Sequence, residues 1–310
     1  MRRLMTVFLT AVLLFITLSG CSSSARGNES EGNIEGSGQQ QLTADKIVEN
    51  FDKLVADSKK PYELLDFINT NIANLDKEQA ANVVGKYIQV VEEAEYTYNE
   101  DFYSGDKQIT MLKYFNSGFV VDEVENISEK DLKEFLMELL NGGYKIISVE
   151  GSFMAIVDYE GFKRLSEHVT DELKAYIEIM AVQSNQPTAM DGGVIISWDE
   201  LADRILRMEE YLKKYKHETR KGIMKEIYAG SIMSYLGGMD NTPVFDYDTD
   251  MLLNDMLTSF NNAANKNSDT YLAAIIREYI TLLEQEGFMY TERVQDYLMN
   301  ITETVEKLIK

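Results

Sequence analysis

Cys21 is the only cysteine in a chain of 310 residues. No disulfide can therefore close within the chain, and no cysteine cluster can hold zinc. Whatever fold forms is held by its hydrophobic core alone. The composition permits one: 45% of residues are apolar and 26% are charged, ordinary values for a globular protein. The first forty or so residues read as non-globular, which leaves about 270, enough for one large domain or two small ones.

Helical periodicity dominates that remainder. Between Asp76 and Tyr96, the residues Ala80, Val83, Val84, Tyr87, Ile88 and Val91 fall on one helical face. Leu132, Phe135, Leu136, Leu139 and Leu140 do the same after Ser128, a natural N-cap, and Asn141-Gly142-Gly143 supplies the stop. Thr170 is placed to cap a helix carrying Leu173, Tyr176, Ile177 and Met180. Ser197-Trp198-Asp199-Glu200 reads as a capping box, flanked by Ile196 and Leu201 in the staple positions. That helix continues through Ile205, Met208, Leu212 and Tyr215. The last third reads as four helices: near Glu218–Leu236, Thr249–Ala264, Ser268–Glu286, and from a Thr291 cap to Leu308. Two more precede Asp76, near Thr43–Ala56 and from Pro61 onward.

Strand signals are few. Tyr144–Val149 and Phe153–Asp158 flank Glu150-Gly151-Ser152 in the pattern of a hairpin. Val194–Ile196 and Phe119–Val124 are further candidates. Extended loops between helices are the alternative reading. The expected fold class is mainly α, a bundle of roughly nine helices, with a candidate β-hairpin near residues 144–158. Expected organisation is a helical domain over 42–216 and a C-terminal helical bundle over 217–310, or one continuous domain spanning both.

At the N-terminus, Arg2 and Arg3 precede an uncharged apolar run, Leu4 to Leu18, fifteen residues long. A spanning helix needs about 20 residues, so the run suits a secretory signal peptide better. It ends in Leu18-Ser19-Gly20-Cys21. This tetrapeptide resembles the lipobox of bacterial lipoproteins: an aliphatic residue, two small residues, then cysteine. The resemblance covers residues 1–21. It implies cleavage after Gly20, removal of residues 1–20, and lipid on Cys21. It places the mature chain on the extracytoplasmic face of the cell membrane, with the bilayer as its partner through that lipid. Ser22–Gln41 is mostly Ser, Gly, Asn, Gln and Glu, with Ile34 as its single large hydrophobe. Such a segment cannot offset chain entropy by burial, and reads as a tether with a root-mean-square reach of about 25 Å.

The net charge is -22, and it becomes two units more negative once Arg2 and Arg3 leave with the signal peptide. An acidic surface repels nucleic-acid phosphate and anionic headgroups. Nucleic acid is therefore excluded as an expected partner, and the lipid supplies the membrane hold that charge cannot. Two acyl chains convert transient contact into stable residence, at about 0.8 kcal/mol per buried methylene.

No catalytic, cofactor or metal residue is identified. His168 and His217 are the only histidines and lie at a helix end and in a charged run, outside any His-Glu-x-x-His pattern. Asp246-Tyr247-Asp248-Thr249-Asp250 resembles the opening of a calcium loop. Its sixth position is Met251 where the turn needs glycine, and its twelfth is Leu257 where the ion needs glutamate. These acids are expected instead to favour the N-terminus of the helix that follows. No phosphate loop, dinucleotide fingerprint or nucleophile elbow occurs. Trp198, the sole tryptophan, is read as packing. Pro243, Val244 and Phe245 follow a double glycine and form a candidate recognition loop, with plugging of the helix junction as the alternative.

The functional expectation is a non-enzymatic envelope protein that binds another protein or a small ligand. The alternatives are an envelope hydrolase using a carboxylate pair and the solute receptor of an importer. A hydrolase would need a cleft with two convergent acids, at least one with a raised pKa.

Overall fold

The computed structural model describes residues 42–116, 118–216 and 219–309. The expected signal peptide with Leu18, Ser19 and Gly20, the expected lipid site Cys21, the tether segment and His217 lie outside the described residues. The class is mainly α with small antiparallel hairpins. Leu42–Lys310 forms one compact unit, and a single cluster of buried apolar side chains runs from Phe51 to Ile309. The stretches 42–216 and 217–310 thus share one core.

Three helices open the fold: α1 (Ala44–Ala56), α2 (Pro61–Asn71) and α3 (Lys77–Tyr103). Pro61 starts α2, where its missing N–H costs nothing. Asp76 and Gln79 form a reciprocal capping box that starts α3. The helix runs a further two turns past Tyr96 to Tyr103, burying Phe102 in its last turn. α4 (Lys107–Tyr114) and α5 (Lys130–Asn141) follow.

Two expectations fail in this stretch. Ser128 does not cap α5; its hydroxyl meets that of Tyr114 at 2.7 Å, and Glu129 takes the N-cap position without a side-chain bond. Residues 119–124 form no strand. Val121–Asn126 winds into a 3₁₀ turn, because Val124 and Ile127 are the buried residues and a spacing of three matches that helix, not a pleat.

The hairpin forms. β1 (Tyr144–Val149) and β2 (Ser152–Val157) pair from Tyr144↔Val157 to Val149↔Ser152. The turn is therefore the two residues Glu150 and Gly151, at φ of 50° and 78°, the positive pair that a type I′ hairpin requires. Phe153, Ala155 and Val157 alternate inward. α6 (Tyr159–Phe162) leads to α7 (Asp171–Asn185), which Thr170 caps.

Two more hairpins, each of two-residue strands, bracket the long α8 (Trp198–Lys214) and α9 (Lys221–Gly237). They are β3 (Ala189–Met190) with β4 (Gly193–Val194), and β5 (Gly238–Met239) with β6 (Thr242–Pro243). Val194 thus lies in an extended pair, while Ile195 and Ile196 lie beyond it. Ser197 accepts from Glu200 N and caps α8. Gly238 has φ 76°, and a Cβ there would lie 2.8 Å from Val244 N. Only glycine lets the chain turn so tightly into the last hairpin.

α10 (Asn254–Lys266), α11 (Tyr271–Gln285), α12 (Glu292–Met299) and α13 (Ile301–Leu308) complete the fold. α10 starts five residues later than expected, and α11 starts at Tyr271 behind a Thr270 cap, three residues later than expected. The last periodic stretch breaks in two at Asn300, whose amide donates to Asp296 O at 2.7 Å. Val294, Leu298, Ile301 and Val305 stay buried on both sides, so the break leaves the apolar pattern intact. Among the described residues there are thirteen α-helices, more than the nine or so expected, because α4, α6 and this break are too short to show in periodicity.

Tyrosine is the structural glue of this cysteine-free core. The Tyr87 hydroxyl donates to Gly142 O at 2.9 Å, Tyr144 to Val91 O at 2.7 Å and Tyr228 to Glu209 at 2.9 Å. Each buried ring carries its polar atom to a partner, which removes the cost of an unmet hydroxyl. Burial pushes the pKa of these phenols well above the ordinary value.

Candidate functional site

α7 and α8 pack side by side and leave a cleft of about 310 Å³ between them, at the small end of ligand sites. Helical spacing explains its lining. Ala175, Ile179 and Val182 recur along one stripe of α7, while Met208 and Tyr211 come from α8. These make an apolar floor. Arg207, Glu210 and Lys214 stand along the α8 rim, facing Glu178 of α7.

The floor is held rigidly from beneath. Arg204 is 3% exposed. Its Nε donates to Glu200 at 2.9 Å and one terminal nitrogen to Gln186 O at 2.7 Å. This arginine is saturated and braces the segment after α7 against α8. Tyr211 donates to the buried carboxylate of Glu172, with burial and that carboxylate both raising its pKa. Arg220 lies 5.3 Å from the centroid of the Tyr176 ring, a cation–π contact.

The stretch of sequence that carries the rim is charged differently from the rest of the chain. Eight Lys or Arg and three Glu occur from Arg204 to Lys225, within a protein of net charge -22. Arg207 has no carboxylate partner among the described residues. Lys214 lies 4.9 Å over the Tyr215 ring, and the Tyr215 hydroxyl raises its pKa. The cleft therefore offers an apolar floor with Arg207 and Lys214 beside Glu178 and Glu210; Lys214 is engaged by Tyr215, and Arg207 is without a carboxylate partner among the described residues. A wider hollow of about 800 Å³ adjoins α2 and α6. There Lys59 and Arg164 are balanced by Glu63, Asp66 and Asp158, so no single ligand charge is selected.

The residues singled out from the sequence lie elsewhere. Val244 is fully buried and Phe245 is 8% exposed; Pro243 pairs with Gly238 in the β5–β6 hairpin. The first two plug the junction below α9, and the Phe245 ring meets that of Tyr290 at 5.0 Å, tilted by 52°. Trp198 packs on the core 6.2 Å from Tyr235. His168 is half-buried at the approach to α7. The acids of 246–250 do not cap α10. Asp246 accepts from Asp248 N, Thr249 N and the Thr249 hydroxyl, closing its own turn, and this holds its carboxyl below the usual range. Among the described residues no group of acids, histidines or cysteines could hold a metal ion, and no helix is long and apolar enough to cross a membrane.

One acid pair bears on the hydrolase alternative. Glu92 and Glu95 both border a hollow of about 380 Å³ beside α7, and burial raises the Glu95 pKa, with Glu92 adding to it. Glu95 accepts from Val157 N at 3.0 Å, and Glu92 accepts from the hydroxyls of Tyr159 and Tyr176. Both carboxylates therefore serve the fold.

No protein-family model, curated protein or solved structure matches the chain. The α7–α8 cleft left one legible trace in the sequence, the cationic run that ends α8 and begins α9. What the run lines depends on how α7 packs against it.

Proposed function

We propose that this protein is a lipid-anchored binding protein of the extracytoplasmic face of the cell membrane, and that its α7–α8 cleft takes a small ligand with an apolar body and an anionic head. The observation that carries the proposal is the pairing of the Ile179–Met208 floor with Arg207 and Lys214 at the rim. Apolar burial supplies affinity, and the cations select the head group. The lipobox and tether support the location.

The test is calorimetric titration of the Leu42–Lys310 body with two probes of equal size: naphthalene-2-carboxylate and naphthalen-2-ylmethylammonium. The carboxylate should bind and the ammonium should not. Arg207→Glu should weaken carboxylate binding by about tenfold, the scale of one lost charge-assisted contact. Ala175→Leu, which fills the floor, should abolish it. Equal binding of both probes, or no binding of either, removes the proposal.

A further inference from the structure

The loop that follows Phe245 carries a second feature, independent of the cleft. Phe245 bridges Leu252, and Met251 bridges Met289, as isolated antiparallel pairs. Leu252 N donates to Phe288 O at 2.8 Å and Tyr290 N to Asp250 O at 2.8 Å. These bonds lash residues 250–252 to the segment after α11. Extended backbone alternates its side chains, and here Leu252 points inward while Met251 and Leu253 do not. Directly paired residues share a face, so Met251 and Met289 stand side by side.

The outcome is a platform open to solvent on the face opposite Leu252, formed by Met251 (40% exposed), Leu253 (38%) and Met289 (42%), with exposed Tyr290 at its edge against Phe245 and exposed Tyr247 in the preceding turn. Single exposed hydrophobes are ordinary, but three large ones on one hydrogen-bonded face are not. The platform is built, since its backbone is pinned by hydrogen bonds and Tyr290 rests on Phe245. Two of its members are methionines, whose flexible thioethers adapt to varied partners.

Its rim is mainly acidic, and Arg293, beyond Tyr290, is paired with Glu286. Asp240, Asp246, Asp248, Asp250 and Asp255 surround it in sequence, and no Lys or Arg occurs from Glu226 to Asn265. This charge selects among the surfaces that could cover the platform. A bilayer containing anionic lipid would be repelled. A second copy docked face to face would oppose acid to acid. A cationic polypeptide with an apolar stripe matches both features at once.

We propose that the Tyr247–Leu253 and Met289–Tyr290 platform docks a cationic amphipathic segment of a partner protein. The apolar stripe of that segment lies on Met251, Leu253 and Met289, and its Lys or Arg side chains meet the aspartates of the rim.

The test places the photo-crosslinking residue p-benzoylphenylalanine at Leu253 of the full chain, held in phosphatidylcholine–phosphatidylglycerol nanodiscs. The probe is a synthetic 18-residue Leu/Lys amphipathic helix, with a Leu/Glu helix of the same pattern as control. Irradiation should yield an adduct to the Leu/Lys helix and none to the Leu/Glu helix. Its yield should fall about tenfold in Met251→Ser/Met289→Ser, the loss expected for a central apolar contact. Ile109→Ser/Leu112→Ser, which removes exposed apolar side chains from α4, should leave the yield unchanged. All four residues are at least 40% exposed, so both variants keep their core. An adduct chiefly to lipid, or chiefly to a second copy of the chain, overturns the proposal. So does the lack of any adduct, or a yield that ignores the methionine changes.

Discussion

The side-chain amide of Asn99 pairs with the backbone of Ala155 as a neighbouring strand would. Its Nδ2 donates to Ala155 O at 2.8 Å and its Oδ1 accepts from Ala155 N at 2.9 Å. Gln108 repeats the arrangement two residues away, with bonds of 2.7 and 2.8 Å to Phe153. Glu95 accepts from Val157 N. Three side chains from α3 and α4 thus complete the free edge of β2. A two-stranded hairpin alone is marginal in water, and an open edge invites pairing with another chain. Here helices supply the missing hydrogen bonds. Asn99→Leu should therefore cost about 2 kcal/mol, the penalty for stranding a buried backbone donor and acceptor. Denaturant titration monitored by circular dichroism measures it, and an unchanged midpoint would show that the edge does not depend on this amide.

Glu95 also sets a pH dependence. Its folded pKa lies above the ordinary glutamate value of 4.5, chiefly through burial. The folded state then holds this proton more tightly than the unfolded chain does. That contribution therefore weakens as pH rises from 4.5 through the folded pKa. Glu95→Gln keeps an acceptor for Val157 N and carries no charge. The variant should melt above the parent at about pH 7 and lose that advantage below about pH 4.5. A melting temperature offset that stays constant across the range would contradict the assignment.

Gly143 joins α5 to β1 at φ 88°, where a Cβ would collide with the Tyr87 hydroxyl and lie 2.7 Å from the Phe162 ring. Both the backbone and the packing reject a side chain there. Gly143→Ala should destabilise the fold by about 3 kcal/mol or more, read as a fall in the denaturation midpoint at constant slope. Gly151→Ala, with nothing within 4 Å of the added Cβ, should lose about 1 kcal/mol from backbone strain alone.

Glu209 is 1% exposed, yet it accepts from Tyr271 N and Leu272 N at 2.8 Å each, and Tyr228 and Lys213 complete its shell. A carboxylate on α8 thus satisfies the first turn of α11, where negative charge is favoured. Glu209→Ala should lower stability by about 3 kcal/mol, combining a lost cap with an orphaned buried hydroxyl. Thermal melts of Glu209→Ala and Glu209→Gln should rank the glutamine variant between parent and alanine.

The anchor has a direct test. Labelled palmitate should enter the full chain expressed in bacteria and should fail to enter Cys21→Ala. That variant should also leave the membrane fraction, since single weak contacts do not hold a protein at a bilayer. A Cys21→Ala chain that stays membrane-bound to the same extent would refute the proposed location.

Much of the helical order was readable because the information is local. A cap such as Asp76, Thr170 or Ser197 and an apolar stripe with a period near 3.6 act within a few residues of chain. The hairpin was readable for the same reason, through two alternating runs around Glu150-Gly151. Where local signals competed, the sequence reading failed. Ser128 had a distant hydroxyl to bind, Asp246 had its own loop to close, and Asn300 broke a stripe that continued unbroken on either side.

By itself, then, the amino-acid order determined a cysteine-free, mainly helical body, its principal caps and its acidic charge. Only tertiary structure decided that Val244 and Phe245 turn inward while Met251 and Met289 meet at the surface, and that Arg207 and Lys214 border an apolar floor. Those outcomes depend on which faces are left over after helices pack. No short window of sequence contains that information, because burial of one residue is settled by partners far along the chain.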